Sequence, residues 1–225
     1  LILHMRQFIL LSFLIFLSHF GFSQTSVGVR AGYATSSYSY RPAANFRAIS
    51  TESVGKPTFA LVVEHFNSKN AGIELNIQWI TLGFQQVNGE DEPILVNRTE
   101  LEYLKFPLLA SFFAGRSGRF QIKMGPHFGY LMKANEVQRQ ISNPNTPVIP
   151  TYGGANDKPN RFMYGLTGGA GISKLFGKST ISGEVRFSYD FTNPESQDRI
   201  FDMNSTNLEF TLAYLFRVRD PKTKK

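Results

Sequence analysis

Charged side chains occupy alternate positions in segments whose other positions are apolar, and their signs balance. The cations are Arg30, Lys105, Lys123 and Arg186, and the anions are Glu64, Glu74, Glu184 and Glu209. In an extended chain, residues of one parity share one face, so all of these charges face the same side of their segments. Charges enclosed away from water are costly unless they are paired. We therefore expect an ion-paired polar interior and no open pore.

His127 lies on the same polar parity, as do Ser111 and Ser188 on other segments. A histidine beside a serine can act as the base of a hydrolase, which makes a lipid-modifying enzyme one hypothesis. The alternative is a hydrogen-bonded structural histidine. We prefer the alternative, because these serines face the enclosed side. His65 has the opposite parity, and we expect it at an interface.

No other residues indicate a catalytic, cofactor or metal site. The chain has no cysteine, which excludes a disulfide framework, a cysteine-based zinc site and a thiol nucleophile. Glu90, Asp91 and Glu92 could bind calcium, but we favour a solvated loop. No helix follows the glycines near 165–171, so they are not a phosphate-binding loop. The formal charge is +7, yet the basic residues are scattered, and we expect no nucleic-acid partner.

The polar and apolar parities identify the elements that carry these residues. The sequence STISGEVRFSYDF, 179–191, alternates apolar and polar side chains throughout, which predicts a strand with two different faces. Comparable alternation predicts further strands, so that the full set is 26–33, 58–66, 72–82, 102–113, 119–131, 162–172, 179–191 and 205–216. Pro107 cannot donate to a ladder, so we expect a bulge or break there.

The connections between these strands alternate strictly between long and short. The long polar ones cover 34–56, 83–98, 133–161 and 192–204. This asymmetry is typical of outer-membrane barrels, which have short periplasmic turns and long external loops. We therefore predict an all-β fold, a transmembrane antiparallel up-and-down β-barrel of about eight strands, with apolar residues facing lipid. A soluble β-sandwich or lipocalin-like barrel, with apolar residues inward, is the alternative.

Aromatic residues concentrate at the ends of the predicted strands, which favours the membrane barrel over the sandwich. Two girdles at the lipid–water interfaces account for this placement. The predicted external girdle contains Tyr33, Phe59, Trp79, Tyr130, Tyr164 and Tyr189. The predicted periplasmic girdle contains Phe120, Tyr214 and Phe216, together with Phe66, Phe112 and Phe176.

The two ends of the chain have their own signals. A basic start, an apolar run over 8–17 and small residues near Ser23 predict a secretory signal peptide, 1–23. The run is too short for a membrane-spanning helix. The domain prediction is therefore a signal peptide at 1–23, an outer-membrane β-barrel at 24–216 and a basic periplasmic tail at 217–225.

Several stretches resemble the PorT-type outer-membrane β-barrel family of Bacteroidetes. They are the first strand VGVRAGY at 27–33, YLKFPLL at 103–109, YGLTGGAG at 164–171 and LAYLF at 212–216. The resemblance covers nearly the whole chain after the signal peptide. It implies a barrel in the outer membrane, and it implies little about activity, although one member of the family is linked to the type IX secretion system.

These observations lead to the following functional expectation. We expect a non-enzymatic protein of the cell outer membrane, with no cofactor, that acts as a structural or interaction protein through its external loops. Its expected partners are outer-membrane lipid, the outer-membrane assembly machinery and a protein at the external loops. The alternative is a component that assists transport or type IX-like protein secretion.

Overall fold

The computed structural model describes residues 24–41, 43–45, 47, 49–88, 94–139, 159–194 and 202–220. The predicted signal peptide at 1–23, the acidic residues 90–92 and the last five residues lie outside this part of the chain. The described residues form strands, and no helix among them is long and apolar enough to cross a membrane. The strands are β1 (Gln24–Arg41), β2 (Ile49–Ser50), β3 (Glu52–Phe66), β4 (Ala71–Asn88), β5 (Ile94–Gly115), β6 (Gly118–Arg139), β7 (Phe162–Phe176), β8 (Ser179–Asp190) and β9 (Asp202–Arg219).

The strands form a closed barrel. From β3 onward each strand pairs antiparallel with the next one along the chain, and β1 pairs with both β3 and β9. The β1–β9 seam is long, running from Thr25 opposite Arg219 to Arg41 opposite Asp202. The short β2 adds only two pairs to the end of β1. The ring of β1 and β3–β9 confirms the predicted up-and-down barrel of eight strands.

The two ends of the barrel differ in their connections. At one end, here called the turn end, β3–β4, β5–β6 and β7–β8 are joined by turns of two to four residues (67–70, 116–117 and 177–178). Gly115, just before the turn 116–117, and Gly177, within the turn 177–178, have φ of 113° and 60°, a conformation that L side chains rarely adopt. The opposite end, here called the loop end, carries the long connections.

The wall near the turn end has an apolar exterior and a polar interior, as the alternation predicts. On β4 the exposed side chains are Ile73, Leu75, Ile77 and Trp79. The buried ones between them are Glu74, Asn76 and Gln78. This facing is the reverse of that in a soluble barrel, and it is the one expected where hydrocarbon surrounds the outside.

Toward the loop end, the facing reverses within the same strands. Beyond Trp79, the inward positions 80, 82 and 84 of β4 are apolar, whereas the outward positions 81, 83 and 85 are polar or small. On β5 the polar side chains Arg98, Glu100 and Glu102 lie on the outward parity, opposite buried Leu101 and Tyr103. The buried apolar side chains meet in one loop-end cluster, formed by Ala34, Tyr38, Tyr40, Ile80, Leu82, Phe84, Leu101, Tyr103, Leu131, Met163 and Met203.

This reversal corrects the predicted strand ends and loops. Parts of the predicted loops 34–56, 83–98 and 133–161 are strand: β1 continues to Arg41, β4 to Asn88 and β6 to Arg139. β5 and β6 contain 22 residues each. At ~3.3 Å per residue they are about 70 Å long, far more than the ~25 Å apolar band requires even when tilted. The part of these strands that extends beyond the apolar band is surrounded by water, so its apolar side chains point inward.

The ladders are interrupted at several points, two of which lie in β5 and in β3. The pairing of β5 with β4 and with β6 is interrupted near Pro107 and Pro126. The register is the same before and after each gap, so Pro107 marks a break and not a bulge. Between Ser53 and Phe59 the β3–β4 register shifts. There Ser36 Oγ accepts a hydrogen bond from the Gly83 N–H at 2.7 Å and donates to the Gly83 carbonyl at 3.1 Å. These bonds satisfy backbone groups that the ladder leaves unpaired.

Two details at the turn end differ from the sequence prediction. β9 continues to Arg219 and not only to Phe216, because Arg217 and Arg219 still pair with Ser26 and Thr25. Phe66 is buried inside the barrel, where its ring packs edge-on against Phe113 at a centroid distance of 5.0 Å. It shares the inward parity of Glu64, so it does not belong to the periplasmic girdle.

Candidate functional site

The most concentrated chemistry of the protein is an ion-pair network inside the barrel near the turn end. Its centre is Glu74 on β4, which is fully buried. Arg30 on β1 lies 3.0 Å from it, Lys123 on β6 2.5 Å, and Arg186 on β8 2.6 Å. The carboxylate therefore joins cations from three other strands across the interior.

A second carboxylate, Glu184 on β8, contacts the same cations. It lies 3.2 Å from Arg30, 2.8 Å from Lys123 and 2.6 Å from Arg186. Glu64 completes the network with a 3.4 Å contact to Lys123 and a hydrogen bond from Ser111. Three cations and three carboxylates are thus mutually paired, which offsets the cost of their burial.

The remaining two predicted interior charges, Lys105 and Glu209, are buried but lie outside this network. Lys105 Nζ donates a hydrogen bond to Ser188 Oγ at 3.0 Å. Glu209 accepts one from Gln78 Nε2 at 2.6 Å. Among the described contacts, neither forms an ion pair closer than 4 Å. They belong to a hydrogen-bonded layer between the ion-pair network and the loop-end cluster.

His127 organises this hydrogen-bonded layer. Its Nε2 lies 2.6 Å from Asp190 Oδ1, and its Nδ1 lies 2.9 Å from Thr167 Oγ1. Thr167 is in turn 2.8 Å from Ser188 Oγ, which extends the chain to Lys105. Ser205 donates to Asp190 from the next strand. The chain therefore connects five adjacent strands, β5 to β9.

The glycines of β7 provide the space for these side chains. A Cβ placed on Gly165 would come within 2.7 Å of the His127 ring. On Gly169 it would meet Arg186 Cγ at 2.9 Å, and on Gly171 it would meet Glu184 Cγ at 2.7 Å. An eight-stranded barrel has an interior just wide enough for side chains, so large groups on one strand require small ones beside them.

The chemistry of this interior is that of a filled core. His127, Ser188 and Lys105 have no exposed surface, so a substrate cannot reach them without opening the barrel. Ser111, the other candidate serine, bonds to Glu64 and not to His127. In the part of the chain that the structure describes, no three His, Asp or Glu side chains form a group that could hold a metal ion.

Sequence reasoning missed Asp190 and Thr167 as partners of His127. Both lie on the inward parity of their strands, and that parity was the available signal. Parity alone could not indicate them, since it does not give the register of β6, β7 and β8 against each other. The structure brings Asp190 and His127 together because His127 pairs with Gly165, which pairs with Asp190.

The predicted girdle residues lie on the outer surface in two bands. Toward the loop end these are Tyr33, Phe59, Trp79, Tyr130, Tyr164 and Tyr189, and toward the turn end they are Phe120, Tyr214 and Phe216. Neighbouring rings contact each other: Tyr130 packs edge-on with Phe162 at 5.4 Å, and Tyr189 with Phe191 at 5.3 Å. The loop-end band coincides with the level where the facing reverses.

Beyond this band, the outer surface carries paired charges. Lys56 Nζ lies 3.0 Å from Glu100, and Arg98 Nη2 lies 2.7 Å from the same carboxylate. Partial burial acts to raise the pKa of Glu100, but the hydrogen bonds from Lys56 and Arg98 outweigh it and hold that pKa below its usual value. A charged surface here places this level of the wall in water.

Comparison with solved structures identifies similar barrels. The outer membrane protein OprG from Pseudomonas aeruginosa superposes with a TM-score of 0.51 at 10% identity, covering 89% of this chain and 99% of that one. Neisserial surface protein A gives a TM-score of 0.43 at 9% identity, covering 85% and 96%. The attachment invasion locus protein of Yersinia pestis gives 0.40 at 10% identity, covering 86% and 99%. At such identities the likeness concerns the fold alone.

The family assignment comes from the sequence. No curated protein matches the chain. The profile of one family, described as "Outer membrane protein beta-barrel domain", matches residues 17–196, which is most of the chain. Together with the closed ring of strands and its apolar exterior, this match places the protein in the outer membrane. Because outer-membrane barrels have their short turns on the periplasmic side, we assign the turn end to the periplasm. The chain belongs to the outer membrane protein beta-barrel domain family.

Proposed function

We propose that this protein is a non-enzymatic outer-membrane barrel that acts as a structural or interaction protein through its external face. The observation that carries the proposal is the filling of the interior in the part of the barrel that the structure describes. The ion-pair network, the His127 layer and the loop-end cluster follow one another from the turn end to the loop end, and their largest side chains are fully buried. A barrel filled in this way supports neither a free diffusion path nor an accessible catalytic site.

The wall beyond the outer membrane supports an interaction role. It has its own apolar core and a polar exterior, as a soluble domain does. A rigid scaffold positions binding loops with little loss of conformational entropy, and binding residues are concentrated on such loops. We propose that a protein partner binds at this external face.

The filled interior is tested by conductance. The folded protein, inserted in planar lipid bilayers, should show no stable conductance steps across the physiological voltage range. A double variant that truncates two side chains of the loop-end cluster, Phe84→Ala and Leu101→Ala, is the control for a partly emptied interior. Reproducible open-channel steps in the unmodified protein would overturn the proposal and favour transport.

We also propose that the protein is a PorT-type member of the family. The support is the stretch YLKFPLL at 103–109, which begins in the loop-end cluster and continues into the membrane-spanning wall. No observation favours the alternative of assistance in transport or secretion, which stays a prediction from the resemblance alone.

A further inference from the structure

The turn end of the barrel carries a ring of cations, all of which are exposed except the partly buried Arg217. It consists of Lys69, Arg116, Lys174, Lys178, Arg217 and Arg219, here called the basic rim. Asp220 is the only exposed carboxylate that the structure describes at this end, and it lies 3.3 Å from Arg217 and 3.6 Å from Lys178. The loop end differs, since Glu100 there pairs with Lys56 and Arg98, and Asp202 with Arg41. Among the described residues, the excess positive charge is therefore concentrated at the turn end.

The basic rim surrounds the barrel and does not form a patch on one side. Lys69 lies on the β3–β4 turn, Arg116 on the β5–β6 turn and Lys178 on the β7–β8 turn, while Arg219 ends β9. A protein partner would cover one side of such a ring. Lipid surrounds all of it, so the distribution of charge fits an annulus of headgroups better than a single docking face.

The position of Lys174 links the basic rim to lipid. It lies on the lipid-facing parity of β7, between exposed Ile172 and Phe176 of the turn-end girdle. Its Nζ is 5.4 Å from the centroid of the Phe176 ring. A lysine in this position buries its aliphatic stem against the acyl chains and carries its ammonium to the headgroups.

We propose that the basic rim binds anionic phospholipid headgroups of the leaflet at the turn end, which is the periplasmic leaflet. A juxtamembrane cation attracts an anionic surface by ~1 kcal/mol, which corresponds to about fivefold enrichment of anionic lipid. Several cations in one ring bind several lipids. This inference rests on the barrel and its membrane placement, and it is independent of the proposed external interaction role.

A tryptophan-quenching experiment tests the lipid preference at both girdles. The chain has one tryptophan, Trp79, which reports on the loop-end girdle. A double variant, W79F/F176W, moves the reporter to the turn-end girdle beside Lys174. Each protein is reconstituted in phosphatidylcholine vesicles that contain the same fraction of brominated phosphatidylglycerol or brominated phosphatidylcholine. Because both leaflets of these vesicles have the same composition, the orientation of the protein does not affect the comparison.

We expect brominated phosphatidylglycerol to be enriched about fivefold over brominated phosphatidylcholine at the F176W reporter and to show no enrichment at Trp79. Added salt should reduce the preference. The substitutions K69Q/R116Q/K174Q/R219Q should abolish it, whereas the matched loop-end set R41Q/R47Q/K133Q/R161Q should leave it unchanged.

Equal quenching by the two lipids at the F176W reporter, or enrichment that survives the four basic-rim substitutions, would overturn the proposal. An acidic protein partner would then be the better occupant of the basic rim. Native mass spectrometry of the unmodified protein provides a second test that requires no reporter. Released from mixed vesicles, the protein should retain phosphatidylglycerol in preference to phosphatidylcholine, and equal retention would also overturn the proposal.

Discussion

Glu74 is the residue on which the interior depends most. Its carboxylate contacts Arg30, Lys123 and Arg186, which come from three strands that are not its neighbours in the ladder of hydrogen bonds. A buried ion pair adds little net stability over an apolar core, but removal of one partner leaves the other charges unpaired. The network therefore acts as a constraint on which strands can face each other.

Neutralising Glu74 tests this constraint. We expect Glu74→Gln to lower the free energy of unfolding by about 3–5 kcal/mol, because the three cations keep only Glu184 and Glu64 as counter-charges. Urea titration of the folded protein in detergent, followed by tryptophan fluorescence, measures the change. The exposed Glu52→Gln serves as a matched control and should change stability by less than ~0.5 kcal/mol. An equal effect of both substitutions would show that the network contributes nothing specific.

Glu100 provides a pH-dependent contribution on the external wall. Its pKa is depressed in the folded protein by hydrogen bonds from Lys56 and Arg98, despite partial burial. The carboxylate therefore stabilises the fold above the unfolded-state pKa of about 4.3, and this contribution is lost as the pH falls through the lower folded-state pKa.

We expect Glu100→Gln to be less stable than the unmodified protein at pH 7, with the difference shrinking as the pH falls below the unfolded-state pKa of about 4.3 and vanishing only below the lower folded-state pKa. Thermal unfolding in detergent at several pH values measures this difference. A gap between the two proteins that stays constant from pH 7 to pH 3 would contradict the role of the charge.

At the scale of the element, β7 depends on its small residues. Gly165, Gly169 and Gly171 face the interior, and each leaves room for a larger side chain on β6 or β8. Gly168 on the same strand has nothing within 4 Å of the position of its missing Cβ.

This contrast gives a matched pair of substitutions on one strand. Gly165→Ala places a methyl group against the His127 ring and the Tyr189 carbonyl, and we expect a loss of about 1–3 kcal/mol or more from overpacking. Gly168→Ala should be neutral or slightly stabilising. The fraction of heat-modifiable, folded band on unboiled gels at increasing urea compares the two. If Gly168→Ala were the more damaging, the packing argument would be wrong.

β4 shows the reversal of facing most clearly, because lipid and water meet the same strand at different heights. Ile77 and Thr81 have the same outward parity and lie on opposite sides of Trp79. We expect Ile77→Arg to cost about 2–4 kcal/mol, since it places a charge in the apolar band, and Thr81→Arg to cost about 0–1 kcal/mol. Unfolding measured in lipid vesicles tests both, and equal costs would contradict the assigned membrane level.

The alternation of apolar and polar residues was enough to predict the strand number, the order of the strands and the inward direction of all eight predicted charges. It failed where the solvent outside the wall changes. In Ile80, Leu82 and Phe84 the apolar side chains of β4 move to the inward parity. If apolar residues are assumed to face outward along the whole strand, this change is mistaken for the end of the strand. The partners of His127 were out of reach for a different reason, since parity does not fix the register between strands.

At the scale of the whole molecule, closure depends on the seam between the first and last strands. Ala31 on β1 lies opposite Leu212 on β9, although they are separated by most of the chain. This seam removes both free edges, which would otherwise pair with other chains.

An engineered disulfide tests the seam directly, because the natural chain has no thiol. We expect Ala31→Cys/Leu212→Cys to form an intramolecular disulfide on oxidation, visible as a mobility change on boiled, non-reducing gels that reductant reverses. Ala31→Cys/Leu166→Cys, with the second thiol on β7, should not cross-link. Efficient cross-linking of the control pair and not of the seam pair would exclude the closed order of strands.

The reversal of facing along each long strand also sets how deeply the barrel sits in the bilayer. Sinking by one pair of residues would bring Glu102 to the level of Trp79, and deeper sinking would draw Glu100 and then Arg98 toward hydrocarbon. The cost is ~2–4 kcal/mol for a deeply placed basic residue and less for an acidic one. Rising by the same amount would bring Phe112, Phe120 and Phe216 out of the inner interface and wet the apolar band below Trp79. The positions at which the strands change their facing therefore fix the depth of the barrel in the bilayer. They also fix how far the loop end extends beyond the membrane surface.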